Sequence, residues 1–131
     1  MHVLVTGGLG HIGSELIRHL AKNRRVRAIT ILDNLLTQRY VSLFDLPKEV
    51  DYTFVEGDVL DPNDVAQAVQ GVDAVVHLAA ITNAEGSFDI SEQVQSVNHD
   101  GTRNVVRACT QQGVRRLVFP STTSVYGPVS G

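Results

Sequence analysis

Cysteine, basic residues and long apolar runs are scarce in this 131-residue chain, and each shortage excludes a class of function. The single cysteine, Cys109, cannot form an internal disulfide, so we expect a reducing, cytoplasmic setting. Eleven lysine and arginine residues against fourteen acidic residues give a formal net charge of −3, which does not indicate a nucleic-acid partner. No apolar run approaches the roughly 18 residues needed to span a bilayer, so we expect no membrane partner. The first apolar segment begins at Val3, and we therefore expect no signal or transit peptide.

The sequence instead alternates short apolar segments with segments of helical periodicity, which is typical of strands that alternate with helices. We predict strands at residues 2–6, 26–32, 52–56, 74–78 and 116–119. We predict helices at about 11–22, from an Asp61 N-cap to a stop at Gly71, and at about 91–112, with one further helical turn near 40–44. This order matches a doubly wound, Rossmann-type α/β fold with parallel strands in the spatial order 3-2-1-4-5. The length predicts a single domain over residues 1–131.

A glycine-rich turn follows the first predicted strand, with Gly7, Gly10 and Gly13 at intervals of three residues. A strand, a glycine turn and a helix together present backbone N–H groups and a helix N-terminus to a phosphate group. We expect Gly7 and Gly10 to let the backbone turn tightly and approach a pyrophosphate, and Gly13 to let the helix pack closely on its strand. The spacing alone is weak evidence, so the rest of the chain has to support it.

Two carboxylates follow the ends of predicted strands, and one histidine lies within a predicted strand. Asp33 stands twenty residues after Gly13, where a carboxylate accepts hydrogen bonds from the ribose hydroxyls of NAD and repels the 2′-phosphate of NADP. The alternative is that Asp33 is only a turn residue at the end of the strand. Arg39 is a candidate partner for the 2′-phosphate of NADP. Asp58 could accept from the adenine amino group, or make only local turn hydrogen bonds. His77 lies within an apolar strand, where a hydrogen-bonded core residue is favoured over a catalyst.

The motifs form a set of six in chain order: Thr6-Gly7-Gly8-Leu9-Gly10-His11-Ile12-Gly13, Asp33-Asn34-Leu35, Gly57-Asp58-Val59, His77-Leu78-Ala79-Ala80, Asn98 with Gly101-Thr102, and Ser121-Thr122-Thr123-Ser124-Val125-Tyr126-Gly127. Together they resemble the extended short-chain dehydrogenase/reductases, and within them the NAD-dependent epimerase/dehydratase family. The resemblance covers essentially the whole chain. It implies that the cofactor is NAD and that the cofactor-binding residues are Gly7, Gly10, His11, Ile12, Gly13, Asp33, Asn34, Asp58, Val59, Leu78, Ala79, Ala80 and Asn98.

The resemblance also implies a catalytic role for Thr122, whose hydroxyl would bond the reacting hydroxyl or keto oxygen. The alternative is a hydroxyl that bonds only its own loop. Asn98 would brace the fourth strand. The Tyr-x-x-x-Lys acid/base pair of the family would follow the Val125-Tyr126-Gly127 motif and is not among the 131 residues. Tyr126 is not the tyrosine of that pair, because Ser130 rather than a lysine stands four residues after it. The sixth strand and the C-terminal substrate lobe of the family are also absent from this sequence.

Two functions therefore remain open. The first is the NAD-binding part of an epimerase/dehydratase that oxidises and re-reduces, or dehydrates, a sugar. Its small-molecule substrate would be a nucleotide sugar, with amino-acid, uronate and sterol substrates as alternatives. The second is a non-catalytic NAD-binding module or partner subunit. Both predict that the 131-residue chain alone lacks redox activity. We predict no metal site, and a homodimer is a further expectation from the resemblance.

Overall fold

A computed structural model describes residues 1–36, 40–80 and 96–121. The strands are β1 (His2–Thr6), β2 (Ala28–Asp33), β3 (Asp51–Glu56), β4 (Ala74–His77) and β5 (Arg116–Val118). The helices are α1 (His11–Ala21), α2 (Pro62–Ala68) and α3 (Thr102–Gln112), with a 3₁₀ turn at Tyr40–Leu43 and a π-helical turn at Ser96–Gly101. Within the described residues the strands form one parallel sheet in the order β3-β2-β1-β4-β5. The predicted strand order is confirmed.

Several element bounds differ from the prediction, among them those of β2 and of the last predicted helix. β2 begins at Ala28 rather than Val26, because the Val26 N–H bonds the Asn23 carbonyl in the turn that follows α1. The predicted helix at 91–112 is not one continuous α-helix, since a π-helical turn precedes α3. Residues 91–95 of that prediction lie outside the described residues.

The central strand β1 is buried on both faces, which explains why it is an uninterrupted apolar run. Val3 and Val5 face α1, whereas Leu4 faces α2 and α3. The hydrophobic core on the α1 side of the sheet also contains Ile17, Ala21, Ile29 and Ile31. The hydrophobic core on the other side contains, besides Leu4, the residues Leu32, Val65, Val69, Val75, Val105 and Ala108. Helices therefore cover both faces of the sheet, as the doubly wound prediction requires.

The helix ends follow the local sequence. Asp61 is the N-cap of α2, and its carboxylate accepts from the Asn63 N–H at 2.8 Å, with Pro62 at the first helical position. α3 ends at Gln112, and its C-cap residue Gly113 adopts a left-handed conformation with φ of 66°. α2 ends at Ala68, and Gly71 lies in the turn beyond it rather than at the helix end. Of the helices in the described part of the chain, none is long and apolar enough to cross a membrane.

The strand register brings three loop starts to one edge of the sheet. Thr6 pairs with Leu32 on one side and with His77 on the other, so β1, β2 and β4 end almost level. The residues that follow these strands therefore meet at the carboxyl edge of the sheet. In open parallel sheets this edge is where ligands bind.

Candidate functional site

A cleft runs along the carboxyl edge of the sheet, between the loops that follow β1, β2, β3 and β4. Nine of the thirteen predicted cofactor-binding residues line it: Gly7, Gly10, Asp33, Asn34, Asp58, Val59, Leu78, Ala79 and Ala80. The lining also contains Gly57, which belongs to the predicted Gly57-Asp58-Val59 motif, and three residues that sequence reasoning did not single out: Leu32, Leu36 and Val97. The fold therefore assembles one concave site from segments that are far apart in the sequence.

The turn after β1 packs directly on the strand end after β4. Gly7 has a φ of 66°, and its N–H bonds the Leu32 carbonyl at 2.8 Å. A Cβ at this position would lie 2.8 Å from the Ala79 Cα, closer than real Cβ atoms approach. Gly7 is therefore required both by its left-handed conformation and by the approach of a neighbouring backbone. The predicted tight turn is confirmed.

Gly13 has a different contact from the one predicted. A Cβ at Gly13 would lie 2.6 Å from the Gly7 carbonyl oxygen and 2.7 Å from the Gly8 Cα. The start of α1 therefore packs against the glycine turn rather than against the strand. Gly10 is unlike both, since a Cβ there would meet only the Gly7 carbonyl oxygen, at 3.4 Å. Packing within the described residues does not require glycine at position 10.

The N-terminus of α1 faces outward without a capping side chain. Its N-cap is Gly10, and the first turn of the helix contains no acidic residue. The first N–H groups of a helix have no partner within the helix and carry partial positive charge. His11 and Ile12 contribute two of these groups, although neither they nor Gly13 line the cleft. The arrangement suits an anion bound at this helix end.

The Asp33 carboxylate connects the loop after β2 with the turn after β1. One oxygen accepts from the Leu9 N–H at 3.1 Å, and the other accepts from the Leu35 N–H at 2.9 Å. Both hydrogen bonds fix the carboxylate at the cleft while leaving acceptor capacity on each oxygen. Asp33 is therefore a turn residue, as the alternative interpretation stated. It also lies in the cleft, where it presents a negative charge.

The loop after β3 is held by two side chains that sequence reasoning missed. The Asp58 N–H donates to the Asp64 carboxylate at 2.9 Å, and the Asp58 carboxylate itself accepts from the Leu60 N–H at 2.9 Å. From α3, the Asn104 amide donates to the carbonyls of Val59 and Leu60 at 2.9 and 3.2 Å. Asn104 stands one residue before the buried Val105, and such a polar residue beside an apolar helix face was the available signal.

His77 is a hydrogen-bonded core residue, which confirms the structural interpretation. Its ring is buried, with the Thr6 hydroxyl 2.7 Å from Nδ1 and the Thr102 hydroxyl 2.9 Å from Nε2. Burial lowers the pKa of the imidazole below its ordinary value. The neutral ring is therefore the favoured form in the folded protein, and both of its nitrogens are engaged by threonine hydroxyls.

The remaining predicted residues differ in where they lie. Asn98 lies in the π-helical turn, beside Val97 of the cleft, and its carbonyl accepts from the Thr102 hydroxyl at 2.8 Å. The cofactor contact and the bracing role expected of Asn98 stay predictions. Thr122 and Arg39 lie outside the described residues, as do Ser124 and Tyr126.

The comparisons with known proteins agree with this geometry. The model of the 3-beta hydroxysteroid dehydrogenase/isomerase family matches residues 4–131. The chain belongs to this family. The resemblance to the NAD-dependent epimerase/dehydratase type of short-chain dehydrogenase/reductase is thereby confirmed.

The curated proteins that are similar to this chain are named for different activities. The chain is 36% identical over 126 residues to the 3 beta-hydroxysteroid dehydrogenase type 7 of Rattus norvegicus, which covers 95% of this chain and 36% of that protein. It is 34% identical over 134 residues to the dTDP-glucose 4,6-dehydratase of Streptomyces niveus, which covers 98% of this chain and 40% of that protein. The chain thus spans between a third and two fifths of the length of these relatives.

Solved structures of the same type match nearly the whole length of the chain. A UDP-glucose-4-epimerase from Stenotrophomonas maltophila with bound NAD and formylated UDP-arabinopyranose matches with a TM-score of 0.87 and 31% identity. The match covers 100% of this chain and 40% of that one. The UDP-glucose 4-epimerase of Thermus thermophilus in complex with NAD matches with a TM-score of 0.79 and 36% identity, covering 93% and 38% of the two chains.

Proposed function

We propose that residues 1–131 form the NAD-binding domain of an oxidoreductase of this family. The observation that carries the proposal is the cleft itself, which combines the glycine turn, the N-terminus of α1 and the Asp33 carboxylate at one edge of the sheet. A pyrophosphate would lie on the glycine turn and the helix N-terminus, and the ribose hydroxyls of the adenosine would bond Asp33. When bound, NAD would accept a hydride from the substrate, and the protein would hold the cofactor in the orientation that this transfer needs.

The other cleft residues have roles that follow from their position. The Asp58 carboxylate and the Val59 backbone would lie beside the adenine ring, since the loop after β3 borders the cleft next to Asp33. Leu78, Ala79 and Ala80 form the opposite side, where small side chains let the cofactor approach the backbone. Four more of the proposed contacts come from His11, Ile12, Gly13 and Asn98. Thr122 would bond the reacting oxygen of the substrate.

For the substrate we propose a chemical class rather than a single compound. We infer a small molecule with a hydroxyl group that is oxidised to a ketone, and a nucleotide sugar is the first candidate. Its support is the likeness to epimerases and to a dehydratase of sugar nucleotides. A hydroxysteroid is the second candidate, supported by the family description and by the mammalian relatives. Because the 131-residue chain by itself is expected to lack redox activity, the test uses a longer protein that contains this chain and the Tyr-x-x-x-Lys pair of the family. Conversion of a UDP-sugar or of a 3β-hydroxysteroid by that protein distinguishes the two classes.

Titration of NAD and NADP into the protein by calorimetry tests the cofactor proposal. We expect NAD to bind more tightly, because the Asp33 carboxylate would repel the 2′-phosphate of NADP. Asp33→Asn should reduce the NAD-to-NADP preference by about tenfold, which corresponds to about 1.4 kcal/mol of charge repulsion. The ratio is the readout, since the loss of one turn hydrogen bond weakens both cofactors alike.

Asp51→Asn is the matched control. It removes the same charge at the start of β3, at the opposite end of the sheet, and should leave the ratio unchanged. Absence of NAD binding would refute the proposed function. Equal affinity for the two cofactors in the unaltered protein would remove only the role given to Asp33.

A further inference from the structure

Three polar side chains form a continuous hydrogen-bonded chain behind the cleft. Thr6 ends β1, His77 ends β4, and Thr102 begins α3. The His77 ring connects the two hydroxyls, with distances of 2.7 Å to Thr6 and 2.9 Å to Thr102. None of the three residues lines the cleft or enters the proposed cofactor contacts. Their arrangement therefore needs an explanation of its own.

The hydrogen bonds around this chain allow one assignment of its protons. The Thr102 hydroxyl donates its single proton to the Asn98 carbonyl at 2.8 Å, so it accepts from His77 Nε2–H. A neutral imidazole with a proton on Nε2 has an acceptor at Nδ1. The Thr6 hydroxyl donates to that nitrogen. Every donor in the chain then has an acceptor.

At its other end the chain holds the backbone that forms one side of the cleft. The Thr6 oxygen accepts from the N–H groups of Leu78 and Ala79, at 3.1 and 3.2 Å. Ala79 is also the residue against which Gly7 packs. A displacement of Ala79 would therefore also disturb the glycine turn. At the Thr102 end, the chain reaches the π-helical turn that places Val97 in the cleft.

We propose that Thr102 is a positioning residue for the cofactor site, acting through His77 and Thr6 to hold the Leu78–Ala79 backbone in register with the π-helical turn. The proposal rests on the proposed NAD-binding function. Thr102 touches no part of the cofactor in this proposal. Loss of the Thr102 hydroxyl leaves the Nε2–H group of the His77 ring without an acceptor. The ring would then shift, and Thr6, which bonds the ring, would hold the Leu78 and Ala79 backbone less firmly.

The test compares three variants on α3 by calorimetric titration of NAD. Thr102→Val removes the hydroxyl at nearly constant volume, and we expect it to weaken NAD binding by about fivefold to tenfold. Thr102→Ser restores a hydroxyl and should bind within about twofold of the unaltered protein. Thr110→Val is the matched control, because the Thr110 hydroxyl makes the same type of bond, to the Val106 carbonyl four residues earlier at 2.9 Å. It should also bind within about twofold, since it lies away from His77.

A second measurement tests the proton assignment of the His77 ring directly. Long-range ¹H–¹⁵N NMR of the His77 ring should show the proton on Nε2 in the unaltered protein, and the same tautomer in Thr102→Ser. An Nδ1–H tautomer in the unaltered protein would overturn the proposal, as would a Thr102→Val protein that binds NAD undiminished. If the unaltered protein binds no NAD, the proposed function fails, whereas the tautomer still tests the hydrogen-bonded chain.

Discussion

The two sides of the cleft are held by different kinds of contact. On the glycine-turn side, residues 7–13, backbone atoms pack so closely that Gly7 and Gly13 have no room for a Cβ. On the strand-end side, residues 78–80, the backbone is held by hydroxyl and imidazole groups from Thr6, His77 and Thr102. The first side has no room for an added Cβ at Gly7 or Gly13, and the second depends on polar groups that hydrogen-bond one another. Substitutions on the glycine-turn side should therefore act through overpacking, and those on the strand-end side through unsatisfied polar groups.

The largest effect is expected on the glycine-turn side. Gly7→Ala should lower the free energy of unfolding by about 2–5 kcal/mol, because the left-handed conformation costs about 1–2 kcal/mol and overpacking against Ala79 adds about 1–3 kcal/mol. Urea denaturation measures the loss. Gly71→Ala is the matched control, since Gly71 has a φ of 70° and nothing within 4 Å of its added Cβ. It should lose only the conformational part, about 1–2 kcal/mol. Equal losses at the two positions would show that the close approach to Ala79 has no energetic consequence.

The next effect concerns the strand-end side and its pH dependence. Burial lowers the pKa of His77 below its ordinary value of 6.5, so the unfolded chain takes up a proton at a pH where the folded chain does not. Stability from the neutral ring is therefore complete above about pH 6.5 and is lost as the pH falls through the lower pKa of the folded state, by at most about 1.4 kcal/mol per pH unit.

Urea denaturation of the unaltered protein and of His77→Gln at several pH values between about 7.5 and 5.5 measures this dependence. We expect a shallower decline in His77→Gln. His99→Gln, at an exposed histidine of the π-helical turn, should keep the slope of the unaltered protein. A slope that is the same with and without His77 would contradict the link between burial of this ring and stability.

The smallest effect on stability is expected at Gly10, which lies on the glycine-turn side but is not packed. Gly10→Ala should change the free energy of unfolding by about 0.5 kcal/mol or less, because the weaker helix cap is offset by the lower entropy of the unfolded chain. NAD binding should nevertheless weaken by about tenfold, since the added Cβ meets the approaching cofactor. Gly113→Ala, remote from the cleft, should leave NAD binding unchanged. Undiminished NAD binding in Gly10→Ala would place the pyrophosphate elsewhere.

The sequence by itself determined the local features of the fold. The capping of α2 by Asp61, the stop of α3 at Gly113 and the turn at Gly7 each depend on residues that are adjacent in the chain. The strand order 3-2-1-4-5 also followed, because right-handed crossovers leave few arrangements for alternating strands and helices. The cleft at the carboxyl edge is a consequence of that order.

Only the tertiary structure decided which distant groups hold the cleft in place. The bonds from Asn104 to the loop after β3 span 44 and 45 residues, and the hydrogen-bonded chain joins residues 6, 77 and 102. Such contacts leave no periodic pattern, since each depends on the register of strands and on the rotation of α3 about its own axis. The sequence does not reveal whether the hydroxyl of a threonine faces water or a buried imidazole. The fold alone brings these partners within hydrogen-bond distance.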